Sequence, residues 1–553
     1  MNNNFSNCLK KVTENYKADN CNNKVVRPSN NQDTNDDGFM QAIKKTTVDN
    51  NEYNVSYTEN GARGLRTTGK HLLDLNFAVS SLRIASIDTI DTFWNEAYRE
   101  DEVTAIGWLF LAGDVRGGMG ERRLFKTIMN NLLYIDSDLV IKLLKYIPEY
   151  TRWDNIFAVY GEGYNEVDSK ILEIVSDQLT EDMNNMMEGK SISLLGKWMP
   201  SENTYSKRSR VLARKLMKDL GCKASDYRMM LSSLRKHIDI VERKTSGNQW
   251  GEIDYSKVPS KANLLYKNAF MVHDAERRLA YLESLKKGET KINASTLYPH
   301  EIVASYNPNP YDIYSAYDTT LEELWKALPE FTEGPLGKFI VVCDTSGSME
   351  QRVSNRSTVT CYQVAVALSI YFSERLTGSY KDQMITFSRN PKYIDLKGYK
   401  TLRDKLAKVT KYAEYSNTDI YKTFMLVLHT ALANKVPGDQ IPNIMIISDM
   451  EFDCGYSCLT ATPDATLFES IASEYKRYGY TMPKLVFWNV CSRTGTIPVK
   501  ENDNGVILVS GFSPSVINMV MSGEFDPYKA MTSMIYTDRY QPVIEVAKEY
   551  FGK

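Results

Sequence analysis

The sequence predicts a multidomain protein, an N-terminal all-α module of stacked helix pairs followed by a C-terminal α/β domain with a doubly wound parallel sheet. Three observations carry this. A chain of 553 residues is too long for one ordinary core. From about Leu65 to Leu297 apolar residues recur at spacings of three and four, as in "EVTAIGWLFLAGDVR", "RRLFKTIMNNLLYI" and "SDLVIKLLKYI". Beyond residue 338 the pattern changes to short, β-branched, almost wholly apolar runs that alternate with helical stretches, as strands buried on both faces require.

In chain order, residues 1–60 are rich in Asn and Asp with little periodicity, and we expect a flexible N-terminal arm. No apolar segment of a secretion signal opens the chain. Residues 65–305 form the helical module, whose short polar or glycine connections separate successive helices. Residues 306–337 read as a connector, and its start, "YNPNPYDIYSAY", is stiffened by Pro308 and Pro310 and carries tyrosines that are costly to leave exposed. It is therefore expected to pack against both neighbours. In residues 338–553 the strands are "KFIVVCD", "QMITFS", "NIMIISD", "KLVFWNV" and "GVILVSG", with helices "YQVAVALSIYFSERL", "IYKTFMLVLHTALAN" and "TLFESIASEYKRYG" between them.

Composition excludes some classes. The hydrophobic fraction of 42% and charged fraction of 25% are those of a soluble globular protein. No apolar run approaches the ~18 residues that span a bilayer, so no membrane is expected. The eight cysteines lack a framework spacing, which fits a reducing, cytoplasmic setting. "CGYSC" at Cys454 to Cys458 has the look of half a zinc site, without a second Cys or His pair at a partner spacing. The net charge of −2 hides an asymmetry, because Lys190 to Lys291 holds 22 Lys and Arg against 11 Asp and Glu.

The stretch "GKFIVVCDTSGSMEQR" gives the first chemical signal. Ligands of doubly wound sheets bind beyond the carboxyl ends of the strands, and "DTSGS" begins where the first strand of this sheet ends. Asp344, Ser346 and Ser348 lie two apart on a turn that Gly347 permits, and can aim their oxygens at one point. Asp449 ends a later strand at the same rim, and Thr418 opens a helix on a loop between them. Five oxygen ligands from three loops suit a hard divalent cation, with Mg²⁺ favoured because it retains water. Neighbouring groups read more ordinarily. His429 lies within an apolar helix and reads as a core histidine. Cys343 is expected to point into the core. Glu451 and Asp453 either hold metal-bound waters by hydrogen bonds or are plain solvated acids.

In D-x-S-x-S form, with Thr418 and Asp449 on further loops, these residues resemble the metal-ion-dependent adhesion site (MIDAS) of von Willebrand factor A (vWA) domains, whose sheet is of the Rossmann-like kind. The resemblance implies a site that recognises rather than catalyses, its open metal position taking an acidic side chain of a partner protein. No nucleophile and base lie nearby, so the protein is expected not to be an enzyme.

The helical half resembles a second family. "LFLAGDVRGGMGERRLF" followed by "YIPEYTRWDNIF" is similar to a segment of Ro ribonucleoproteins, in which a HEAT-like TROVE module precedes a vWA domain. "KWMPSENT", "DYRMMLSSLRKHIDIVE", "VPSKANLLYKNAFMVHD" and "YPHEIV" are closer to a related, poorly characterised group with the same two-part plan. The likeness implies a ring of helices that binds small structured RNAs and single-stranded RNA ends.

The residues themselves add chemistry to that expectation. Lys197, Lys207, Arg208, Arg210 and Arg214 interleave with Trp198 and Tyr205, and Arg228 and Arg235 flank Tyr227, which sets cations for phosphates beside rings for bases. "RGGMGERR" offers two readings. Arg116, Arg122 and Arg123 with the amides around Gly117, Gly118 and Gly120 bind a phosphate, or Asp114 and Glu121 pair with these arginines across a turn. Three functions compete: a Ro-like RNA-binding protein, a MIDAS-dependent protein-interaction scaffold without RNA, and a metal-dependent phosphate-handling enzyme that lacks identifiable catalytic groups.

Overall fold

The computed structural model describes residues 54–61, 63–308, 315–330, 338–355, 357–414, 418–452, 465–498, 505–521 and 525–553. Cys8, Cys21, Asp453, Cys454, Cys458 and Pro310 lie outside the described residues.

A helical region precedes an α/β domain. A two-stranded antiparallel hairpin comes first, β1 (Val55–Tyr57) with β2 (Arg63–Leu65). The six-stranded sheet consists of β3 (Phe339–Asp344), β4 (Gln383–Phe387), β5 (Tyr393–Asp395), β6 (Asn443–Ser448), β7 (Leu485–Asn489) and β8 (Val506–Ser510), in the order β5-β4-β3-β6-β7-β8. All five apolar runs named above are strands, and they pair in parallel. The sheet is nevertheless mixed. β5 runs antiparallel to β4. Only five residues separate these strands, too few for a crossover helix, so the chain must turn straight back. Because the chain leaves β3 for β4 on one side and β6 adds on the other, the switch of direction falls between β3 and β6. Their carboxyl ends carry Asp344 and Asp449.

One apolar core runs from Leu72 to Ala547 and includes both helical and sheet residues. The helices Pro527–Ile535 and Gln541–Phe551, C-terminal to the last strand, pack on the helix Glu102–Gly113 of the helical region. Gly107 makes that approach possible, since a Cβ there would stand 2.7 Å from Ile535 Cγ2 and 3.1 Å from Ile544 Cγ1. Polar contacts seal the junction. Asp114, fully buried, is gripped by Arg539 through both Nη2 (2.9 Å) and Nε, and it accepts the Tyr540 hydroxyl at 3.0 Å. Tyr150 donates to the Arg539 carbonyl at 2.5 Å and Tyr550 to Asp136 at 2.7 Å. A smaller core of Val241, Ile253, Tyr255, Val258, Ala262 and Phe270 lies within the basic segment.

Residues 55–57, expected to belong to the arm, instead form β1. What orders them is remote in sequence: Leu65 and Ile497 exchange backbone hydrogen bonds of 2.8 Å in each direction. At the connector's start, Tyr306 is fully buried and its hydroxyl donates to Glu322 at 2.7 Å, while Gln363 donates to the Pro308 carbonyl at 3.2 Å. Cys343, Cys361 and Cys491 are buried free thiols and Cys222 is a half-buried one.

Candidate metal centre and nucleic-acid interface

At the carboxyl edge of β3 the Asp344 carboxylate is buried and shared between two loops. Its Oδ1 accepts the Ser346 amide at 2.9 Å, and its Oδ2 accepts the Ser448 hydroxyl at 2.5 Å. The hydroxyls of Ser346 and Ser348 are 3.0 Å apart. Asp449, next along the rim, is also buried. Its Oδ1 accepts the Glu451 amide at 3.3 Å, whereas its Oδ2 has no hydrogen-bond partner. Burial, then the neighbouring Asp344 charge, push the Asp449 carboxyl up to about 7, against a partial offset from Arg493. The nearby Ser348 hydroxyl also offsets the rise in part. Asp344, Ser346 and Ser348 lie together on one loop, and Asp449 is near enough to Asp344 for their charges to interact. Thr418, the fifth, is buried immediately before the helix Ile420–Ala433, which Asp419 caps by accepting the Lys422 amide at 3.0 Å. The preceding part of its loop meets the Asp344 loop where the Glu414 amide donates to Thr345 at 3.5 Å.

Two residues that local reading missed complete the rim. Ser448 fixes the Asp344 carboxylate. Arg493 follows β7, and its Nη1 lies 3.5 Å from Asp449 Oδ2 and donates to Gln351 at 2.8 Å. The signal that would have found Arg493 is the topological rule itself, since "NVCSR" is another strand end at the same edge. Glu451 is neither solvated nor turned to the metal loop. Its buried carboxylate accepts the amides of Arg493 (2.7 Å), Thr494 (2.9 Å) and Glu59 (2.7 Å), and so ties the β7 loop to the hairpin. His429 is exposed, because Phe424, Val427, Leu428 and Ala431 form the buried face of its helix. Among the described residues no three His, Cys, Asp or Glu side chains gather as a metal site, and the rim has two carboxylates among hydroxyls.

The expected RNA-contacting residues divide into two sets. Arg116 donates to the Glu149 carbonyl at 3.0 Å, and Arg123 to the Leu82 and Ala85 carbonyls at 2.8 and 2.7 Å, which commits them to loop architecture. Asp114 and Glu121 do pair with arginines, but with the remote Arg539 and Arg83. The amides of Met119, Gly120 and Glu121 donate to Leu111, Asp114 and Ala112, and are thus used within the fold. Gly118 is required here, as a Cβ would stand 2.0 Å from the Leu111 carbonyl oxygen. Arg122 is exposed at the start of its helix.

The second set lies on one surface. The helix Lys207–Asp219 buries Ala213, Leu216 and Met217 and leaves Lys207, Arg208, Arg210 and Arg214 exposed, with Tyr205 fully exposed before it. Arg214 stands 3.8 Å from Glu202, while Lys207, Arg208 and Arg210 have no ion pair among the described residues. Beside this helix a cleft of about 590 Å³ is lined by Lys197, Arg228, Arg235 and Arg243 against Glu202 and Glu242, over Tyr227, Leu231 and Ile240. Arg235 is held by the carbonyls of Gly196 and Met199, both at 2.9 Å, and Arg228 by Glu202 at 3.1 Å. Tyr227 is buried and donates to the Pro200 carbonyl at 2.8 Å, so it braces the cleft wall and is not an open stacking platform. The guanidinium of Arg152 covers Trp198 at 3.9 Å.

Two family models match parts of the chain. Residues 338–546 match the family described as Domain of unknown function (DUF7788), and residues 161–330 match Domain of unknown function (DUF2828). "Uncharacterized protein L728" of Acanthamoeba polyphaga mimivirus is 30% identical over 532 residues, which cover 89% of each chain. The chain belongs to that protein's family. No solved structure matches. The DUF2828 match holds the basic helix and cleft, and the DUF7788 match holds the whole six-stranded sheet with Asp344, Asp449 and Arg493.

Proposed function

We propose that this chain is a non-catalytic, Ro-like RNA-binding protein. In this reading the helical region is a TROVE-type, HEAT-like module that holds structured or single-stranded RNA. The α/β domain is of the vWA type and holds Mg²⁺, or another divalent cation, through Asp344, Ser346, Ser348, Thr418 and Asp449. The observation that carries the RNA reading is the exposed Lys207, Arg208 and Arg210 face beside exposed Tyr205, adjoining a cleft richer in cations than in carboxylates. Cations without protein counter-ions are the groups that phosphates neutralise, and an exposed ring is one on which a base can stack.

The residues at the strand ends fit a hard cation. Two buried carboxylates repel one another, and Asp449 Oδ2 is buried without a hydrogen bond, a cost that a bound cation removes. Such an ion would supply an electrophilic position for an anionic ligand, and Ser448 and the Ser346 amide fix the Asp344 carboxylate that would help hold it.

Filter binding of the nuclease-treated full chain to an RNA hairpin with a single-stranded tail, at two salt concentrations, tests the proposal. Saturable binding that weakens steeply with salt is expected. Absence of binding at low salt would leave the second reading, a metal-dependent protein-interaction scaffold. That reading draws on the engagement of Arg116, Arg123, Arg228 and Arg235 by the protein itself.

A further inference from the structure

We infer that Glu59, carried by the β1–β2 hairpin, is an acidic group held in cis at the rim of the Asp344/Asp449 centre, where it competes with any acidic partner for the same place. The inference rests on the divalent-cation reading of that centre. The hairpin is fastened to the rim along its length. Thr58 donates to the Phe452 carbonyl at 2.6 Å, Asn60 to the Glu451 carbonyl at 2.7 Å, and the Glu59 amide to the Glu451 carboxylate at 2.7 Å. Ser56 meets Thr496 at 3.0 Å, and Leu65 pairs with Ile497. These partners are the segments directly after β6 and β7, the two strand ends that carry Asp449 and Arg493. The turn of the hairpin is thereby positioned at the rim, and its side chain at residue 59 forms an ion pair with Arg493.

Arg493 forms an ion pair with Asp449, and its Nη1 also approaches the Ser348 carbonyl at 3.5 Å. An anion that approaches a cation held by Asp344 and Asp449 meets this guanidinium, whose planar fork suits a carboxylate. Glu59 already holds one arm of that fork, Nη2. Charge counting gives the same direction. Asp344, Asp449 and Glu59 against Arg493 and a divalent ion leave the rim neutral, and loss of Glu59 leaves it one charge positive. Glu59 is mostly exposed, with 58% of its side chain accessible, whereas Glu451 is buried in amide hydrogen bonds. Glu59 is thus the member of the group that can be displaced without breaking the core.

The test uses the full chain, calorimetry with Mg²⁺, and an immobilised hexaglutamate peptide in Mg²⁺ or in EDTA. Mg²⁺ is expected to bind wild type, and Glu59→Gln is expected to bind the peptide about tenfold more tightly than wild type in Mg²⁺, equivalent to ~1.4 kcal/mol, with no gain in EDTA. Thr58→Val, which loosens the hairpin but keeps the acid, is expected to fall between the two. Equal peptide affinity of Glu59→Gln and wild type in Mg²⁺ overturns the inference while leaving the metal centre standing. A gain of the same size in EDTA also overturns it, by showing a general charge effect. Failure of Mg²⁺ to bind wild type removes the centre and the inference together.

Discussion

Asp449 is buried at the strand ends beside the Asp344 carboxylate. Its carboxyl is pushed up to about 7 from an ordinary 3.8, so the charged form is disfavoured in the folded protein. The sign follows directly. With the folded value above the unfolded one, the group's contribution to stability is fully present below about pH 4 and is lost as pH rises through 7. In EDTA the protein should therefore melt lower at pH 8 than at pH 5.5, with a contribution from this residue on the order of a few kcal/mol. Mg²⁺ should restore stability at pH 8. Asp449→Asn should raise the melting temperature in EDTA at pH 8 and abolish the Mg²⁺ response, both read by thermal denaturation. A variant that melts lower than wild type in EDTA at pH 8 would mean that burial and the Asp344 charge are not what raises this group. Asp344, Ser346, Ser348 and Asp449 were legible in the sequence because a strand end followed by small oxygen-bearing residues is a local pattern. Arg493 and Ser448 were not singled out, since their role comes only from the neighbours that sheet order gives them. His429 was misread for a related reason. An apolar helix has one face turned outward, and periodicity alone did not say which.

At the scale of elements, the five buried strands were readable as β-branched runs. β5 and the β1–β2 hairpin, each built from three-residue strands, carry too few residues for a period to register. The basic helix Lys207–Asp219 was readable as chemistry, and its geometry sharpens the expectation. Replacing Lys207, Arg208, Arg210 and Arg214 together by Gln should lower RNA affinity for many sequences alike. It should also flatten the slope of log K against log salt by about 0.7 to 0.9 for each phosphate no longer neutralised. Because these side chains are exposed, the melting temperature should stay nearly unchanged. Replacing Arg116 and Arg123 should do the reverse, with stability falling and the salt slope unaltered, because their guanidinium groups hold carbonyls of neighbouring loops. Filter binding at several salt concentrations alongside melting curves separates the two outcomes.

On the scale of the whole molecule, the shared core and the Asp114–Arg539 pair join segments 425 residues apart, a relation no local pattern announces. The helical region and the sheet should unfold in one calorimetric transition as a consequence. Arg539→Ala should destabilise the protein in that transition by about 2–4 kcal/mol, because Asp114 is fully buried and keeps only the Tyr540 hydroxyl and the Arg116 amide. A unit with a single packed arrangement offers no second state for a ligand to select, so Mg²⁺ should change RNA affinity by a factor near one in wild type and in Asp344→Ala alike. The measurement that bears most directly on the central claim is ultraviolet cross-linking of the full chain to RNA, with the attachment sites located by mass spectrometry. The account predicts cross-links at Tyr205 and along residues 197–243, the basic helix and its cleft. Cross-links confined to the α/β domain, or none under conditions where a known RNA-binding control is labelled, would contradict it.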